Sequence, residues 1–309
     1  MMKTLFSNIA TSKGVMSLIL VMALCSCVGK QMAKVTASDG STQIYSFKDS
    51  CQHLTLSFSI ELPNGKDSAS LQICDSLVAE FVRGVCQPWY SEDGNEKIPE
   101  REYNRDDVQA FVDYYGHAAY ERLLKMAMKD YEDRMSYLAD DTTMTPEDRE
   151  RIKNDVPMWA FDYAITKTID APAFVVYDAH AYCYYGGAHG GVTGAGAMTF
   201  DKSKGQKMEH FLQDNVTLDL QPYIRKGLIQ YYKEYGDTLT DAQLSERLQI
   251  EGNVIPLPQQ TPHFNANADS LVFTYGQYEI ACYADGMPSF AIPVKDILKY
   301  LTSEAANLR

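Results

Sequence analysis

The amino-acid sequence predicts an α+β fold, a mostly antiparallel sheet with helices packed on it, arranged as two sub-domains. Three observations carry this. The run from Phe174 to Tyr185 holds neither Gly nor Pro and is rich in β-branched and aromatic side chains, the composition of a long central strand. Leu54, Leu56, Phe58, Ile60 and Leu62 alternate with Thr55, Ser57, Ser59 and Glu61, the period-two signature of a strand with one wet face. Two long segments, one after Ser68 and one after Asp106 or Asp107, space their apolar residues as amphipathic helices do.

In chain order, Ile44–Phe47 and His53–Leu62 are strand-like, and Pro63-Asn64-Gly65-Lys66-Asp67 turns the chain. Ser68 caps a helix to about Val85 with Leu71, Cys74, Leu77, Val78, Phe81 and Val82 along its apolar side. Gln87–Glu100, rich in Pro, Gly and charge, reads as a loop. The next helix runs to about Leu138, and its Tyr114, Tyr115, Tyr120, Tyr131 and Tyr137 read as edges of the core before they read as a recognition surface. Thr145 caps a further helix with Pro146 in its first position. The acids around it, Asp140, Asp141, Asp148 and Asp155, lack the alternation and terminal Glu of a calcium loop and read as a solvated face.

Trp159–Ile169 is expected as a strand leading into the central one. There one parity carries Val175, Tyr177, Ala179, Ala181, Cys183 and Tyr185, and the other Phe174, Val176, Asp178, His180, Tyr182 and Tyr184, so both faces are expected to be largely covered. The cluster Gly186-Gly187-Ala188-His189-Gly190-Gly191 breaks the run, a second strand spans Ala195–Phe200, and Asp201–Gly205 turns into Gln206–His210. Beyond lie a helix from about Leu220 to Tyr235 with Thr217 as cap, a shorter one over Asp241–Leu248, and the breakers Pro256, Pro258 and Pro262. Strands follow near Phe264–Ala266, Leu271–Tyr275, Glu279–Tyr283 and Ser289–Pro293, and Val294–Leu301 closes the chain as a helix.

Lys+Arg 28 against Asp+Glu 41 gives a net charge of −13, the wrong sign for a nucleic-acid binder; such a charge reads first as a device of solubility and second as an attraction for a basic partner. At the N-terminus, Lys3 and Lys13 precede an apolar run from Val15 to Leu24, too short to span a membrane and of the length of an export signal. It ends in Leu24-Cys25-Ser26-Cys27, which resembles the bacterial lipobox. Residues 1–26 are therefore expected to be a lipoprotein signal, Cys27 the lipidated first residue, and 27–43 a tether on the periplasmic or cell-surface side of the bacterial envelope. Loss of 1–26 leaves 26 basic against 41 acidic residues, a charge of −15.

Tyr185-Gly186-Gly187-Ala188-His189-Gly190 with the Phe200–Gln206 turn, and the later segments Leu271–Phe273, Tyr278–Gly286 and Ile292–Leu298, resemble one extracytoplasmic module. It is shared by lysozyme-binding anti-sigma factors of the RsiV type and by the non-catalytic part of PdaC peptidoglycan deacetylases. The resemblance covers roughly residues 44–301. It implies an N-terminal sub-domain over 44–170, an RsiV-like one over 171–309, and a hairpin at Tyr283-Ala284-Asp285-Gly286 joining the last two strands. It also implies binding of a lysozyme-like protein or of peptidoglycan, with the motif residues Tyr184, Tyr185, Gly186, Gly187 and His189 as candidate ligand contacts. Only 14 residues precede Val15 and a lipobox follows, so no sigma factor is expected as partner, and no stretch remains for a deacetylase domain.

An enzyme reading starts from Asp178 and His180, two positions apart on one strand face, with His189 in the glycine loop as a third ligand of a metal-dependent envelope hydrolase. No His-Glu-x-x-His, Cys-x-x-Cys or Gly-x-Ser-x-Gly pattern supports it, and His189 reads first as a turn residue bonding local backbone. Non-catalytic binding without metal or cofactor is the expectation, with that hydrolase and a purely structural lipoprotein as alternatives. Of Cys51, Cys74, Cys86, Cys183 and Cys282, an odd number, Cys74 and Cys86 lie roughly 18 Å apart along one helix, beyond disulfide reach. Strand and returning helix have similar lengths, about 33 and 27 Å, which makes Cys51–Cys86 the candidate pair beside five buried thiols.

Overall fold

The strand Leu54–Pro63 (β2) is the floor of the first core: Leu54, Leu56, Phe58, Ile60 and Leu62 are all buried, as their alternation requires. Together with β1 (Thr42–Ser50), β3 (Trp159–Asp170), β4 (Phe174–Tyr184) and β5 (Val192–Asp201) it forms a five-stranded sheet in the order β1-β2-β3-β4-β5. Every pairing is antiparallel except β2–β3, which is parallel and joined through the intervening helices. This computed structural model describes residues 41–86, 98–154, 158–186 and 191–309; Cys27, the signal and tether up to residue 40, Gly187 and His189 lie outside them.

Helices α1 (Ser68–Cys86) and α2 (Val108–Asp140) cover this sheet. α1 buries Ile73, Cys74, Leu77, Val78, Phe81 and Val85, with Phe81 edge-on to Phe58 at 6.4 Å. Its first turn is held by Asp67, whose carboxylate accepts from the Ser70 N–H and hydroxyl, in place of the expected Ser68. α2 starts on Asp107, which accepts from the Ala110 N–H at 3.3 Å. Its Tyr115 is buried and Tyr114 and Tyr120 pack on the core, while Tyr137 is exposed. Thr145 caps α3 (Pro146–Asn154) through the Asp148 N–H, as its Thr-Pro sequence predicts. No helix among the described residues is long and apolar enough to cross a membrane.

A second core lies on the other side of β4. Helix α4 (Thr217–Glu234) buries Leu220, Ile224, Leu228, Tyr231 and Tyr232. With them pack Leu271, Phe273, Phe290 and Ile292 of an antiparallel three-stranded sheet, β6 (His263–Phe264), β7 (Ser270–Thr274) and β8 (Ser289–Pro293). α5 (Asp241–Arg247) opens with a capping box between Thr240 and Gln243. α4 begins at Thr217, which lies inside the helix and is no cap. The closing helix breaks into α6 (Val294–Ile297), a 3-10 turn at Leu298–Tyr300 and α7 (Ser303–Asn307).

Four further expectations are corrected. The division at 170/171 falls between β3 and β4, which pair from Ala160↔Tyr184 to Asp170↔Val175, so the first sheet straddles it. Glu279–Tyr283 is a turn and no strand: the Glu279 N–H closes back on the Gly276 carbonyl at 3.2 Å, and its carboxylate accepts from the N–H groups of Gly276 at 2.6 Å and Gln259 at 2.7 Å. Tyr283-Ala284-Asp285 is accordingly a 3-10 turn ended by Gly286 at φ 69°, and no hairpin. Cys51 and Cys86 are free thiols, one exposed and one half-buried. The Cys51 thiol bonds with Tyr120, whereas Cys86 lies near Arg122. Residues two apart on a helix point to different sides, so α2 addresses the two thiols from different faces.

Past β5, the turn at Asp201–Gly205 is anchored on α1: Gly205 sits at φ 72°, and a Cβ there would lie 2.4 Å from the Ala69 carbonyl oxygen. Only Gly fits that approach.

Candidate functional site

β4 is the wall between the two cores. Val175, Tyr177, Ala181 and Cys183 point into the first, and Phe174 and Val176 into the second. After Val176 the second face opens: Asp178 is half-buried, His180 exposed, and Tyr182 and Tyr184 half-buried. Opposite them on β5 lie Ala197, Ala195 and Thr193. These small residues leave a cavity of about 70 Å³ between the β4–β5 face and the β6–β7 edge, lined by Asp178, Ala195, Gly196, Thr261, His263 and Thr274 among others.

Two titratable groups sit in that cavity, and burial shifts the pKa of each in the direction that favours its neutral form. Burial pushes the Asp178 carboxyl up to about 6, and the Thr168 hydroxyl, from an irregularity in the β3–β4 register, opposes this only in part. The Asp178 Oδ1 atom is buried and has no hydrogen-bond partner among the described residues. Burial likewise pulls the His263 imidazole down to about 4. The structure therefore separates the sequence-predicted pair: Asp178 faces the cavity and His180 faces solvent. Among the described residues no group of three or more His, Cys, Asp and Glu is placed to hold a metal ion.

A second feature lies at the end of the same sheet. Tyr185 packs its ring against Trp159 at 5.0 Å and Phe161 at 5.1 Å, and Gly186 turns away at φ 72° with its carbonyl accepting from Arg134. Gly191 passes beneath the Tyr182 ring, where a Cβ would sit 2.1 Å away. Its carbonyl accepts from Tyr283 Oη at 2.7 Å, and the next backbone N–H but one, at Thr193, donates to Gln277 Oε1 at 2.9 Å. The glycine-rich stretch and the Tyr278–Gly286 stretch, some 90 residues apart in sequence, thus meet in space. Between Gln277 and Tyr283 stands Tyr278, exposed over 57% of its surface, with its backbone at φ 65° and its ring 5.7 Å from that of Tyr283.

The turn that carries Tyr283 is fixed from below. Asp285, with its side chain 1% exposed, receives Arg247 Nε on both oxygens at 3.0 and 3.1 Å, and the Cys282 thiol donates to it at 3.4 Å. Tyr231 donates to the Asp285 carbonyl at 2.7 Å, and the Arg247 guanidinium lies over the Tyr232 ring at 5.3 Å. Asp285 is thus an anchor for the turn.

Gln277, Tyr278 and His263 were not legible as site residues. Tyr278 and Tyr283 carried a signal only as members of the C-terminal signature, and His263 stood among scattered histidines.

Residues 208–295, from just before α4 to α6, match a family model described as a protein of unknown function (DUF3298). No curated protein matches. Among solved structures, the chain is similar to a DUF3298 family member from Bacteroides fragilis NCTC 9343, at 17% identity and a TM-score of 0.54 over 85% of this chain and 95% of that one. It is also similar to a DUF3298 family protein from Pseudomonas aeruginosa PAO1, at 13% identity and a TM-score of 0.50, with the same coverage. At these identities the likeness is one of fold. The chain thus carries a DUF3298 segment, within an α+β fold that resembles those of two solved proteins from that family.

Proposed function

We propose that this protein is a non-catalytic binding module of the bacterial envelope, lipid-anchored through Cys27, whose recognition surface centres on Tyr278 beside Tyr283 and Gly191. Its ligand is a basic, lysozyme-like protein. The observation that carries this reading is the Tyr283–Gly191 hydrogen bond, which joins the two motif regions and presents Tyr278 beside them. A non-glycine residue held at φ 65° stores strain of about 1–3 kcal/mol, the kind of cost that clusters at binding surfaces. An exposed tyrosine on a fixed turn suits protein recognition, because the ring offers large contact area at little entropic cost. The net charge of −13 favours a basic protein over peptidoglycan, the other ligand that the resemblance to RsiV- and PdaC-type modules suggests.

The test uses full-length protein in detergent, with a c-type lysozyme as probe and sedimentation on insoluble peptidoglycan as a second arm. Association should slow by about tenfold between roughly 20 and 150 mM salt, and Tyr278→Ala should weaken affinity by about tenfold or more. No lysozyme binding at low salt, binding of peptidoglycan alone, or unchanged affinity in Tyr278→Ala would overturn the reading.

A further inference from the structure

The geometry points to a second site: we infer that the cavity between the β4–β5 face and the β6–β7 edge binds a primary alkylammonium group, the head of a lysine or diamino-acid side chain, with Asp178 as its counter-ion. This inference stands on the cavity itself and does not depend on the Tyr278 surface.

The cavity's chemistry has one sign. Asp178 lines it, with a buried oxygen that no described residue bonds, and no Lys or Arg is among the lining residues. The other titratable lining group, His263 on β6, is uncharged at neutral pH and so does not repel a cation. His180, the next residue along this face of β4, is turned to solvent, and Thr168 on β3 has no charge to offer. An ammonium has three N–H donors and no acceptor, whereas an ionised carboxylate, a neutral imidazole nitrogen and the Thr261 and Thr274 hydroxyls can all accept. Ala195, Gly196, Ala197 and Val272 supply a small apolar wall for the methylenes behind the head group. One carboxylate and one imidazole fall short of the three protein ligands a bound transition metal needs. A volume of about 70 Å³ suits a compact head group.

The experiment titrates full-length protein with n-butylammonium chloride, and with tetramethylammonium chloride, which has the same charge but no N–H, at matched ionic strength. The readout is NMR of the Ala195 and Gly196 amides, the His263 ring and the Asp178 carboxyl. Butylammonium should give saturable shifts and lower the Asp178 pKa. Its affinity should fall by about tenfold or more from pH 7.5 to 4.5, where the carboxyl is protonated and His263 begins to charge. Asp178→Asn should abolish saturation, and Ala195→Val, which narrows the cavity without removing a charge, should weaken binding. Linear shifts, equal shifts from tetramethylammonium, or undiminished binding by folded Asp178→Asn or Ala195→Val would each mean a water-filled cavity and overturn the inference.

Discussion

The two faces of β4 are made from one run of eleven residues, yet they are finished differently. The face toward α1 and α2 is roofed by two long helices and is packed almost from end to end. The opposite face is roofed by a sheet whose strands are at most five residues long, and cover stops after Val176. At roughly 3.3 Å per residue, five residues cannot shield a strand of eleven. What is left over is the cavity at Asp178 and, farther along, the half-buried tyrosines beside Gly191. A roof shorter than its floor makes the opening, and the small residues Ala195, Gly196 and Ala197 of β5 deepen it.

The largest expected effect tests how firmly that short roof is held. Arg247→Ala leaves the Asp285 carboxylate buried without its cation and should cost about 3–5 kcal/mol in urea unfolding, through the second core. Arg105→Ala, which breaks the exposed pair with Asp75 on the first core's surface, should cost no more than about 1 kcal/mol. Equal losses would erase the contrast between the two cores.

The open end of the second face should be visible in the pH dependence of stability. The folded Asp178 carboxyl titrates above its ordinary value of 3.8, at about 6, so folding is favoured with the group protonated, and this contribution fades as pH rises from about 4 through 6. His263 titrates below its ordinary 6.5, at about 4, so its contribution is present above 6.5 and lost as pH falls toward 4. Between pH 4 and 6 the two oppose each other, and the wild-type profile should be nearly flat. Asp178→Asn should raise stability by about 1–3 kcal/mol at pH 8, leave it unchanged below pH 4, and unmask a decline on acidification from His263. His263→Gln should show the reverse slope. Parallel pH profiles for the three proteins would mean that the groups are not buried as described.

The smallest effect concerns Tyr278. Tyr278→Gly removes the strain of a left-handed non-glycine residue and should raise stability by about 1 kcal/mol in thermal unfolding while weakening lysozyme binding. A loss of stability would show that the ring contact with Tyr283 outweighs the backbone cost.

Much of the fold was legible because its cause is local. The alternation in β2, the Gly-free run of β4, the Thr-Pro start of α3 and the apolar stripes of α1 and α4 follow from periods that a single segment displays. The failures share a different cause. Glu279–Tyr283 has strand composition, but the Glu279 N–H turns back onto Gly276 and its carboxylate is tied to the N–H of Gln259, twenty residues away. β5 begins at Val192, three residues before the expected start, because Gly194 and Gly196 sit in regular register against Ala181 and Ala179, where glycine reads locally as a breaker. Asp178 was singled out for its place on one strand face, but that it shares a cavity with His263 follows only from the packing of two sheets. Long-range partners leave no periodic trace, and the site is built almost wholly from them.

The parallel pairing of β2 with β3 has a further consequence. Leu54 meets Trp159 across roughly 100 intervening residues, so the sheet cannot zip up in order as the polypeptide lengthens. The β1–β2 hairpin is made first and must wait, with an unsatisfied and mostly apolar margin, until both long helices and the third strand have arrived. The slow step in refolding should be the closure of that margin.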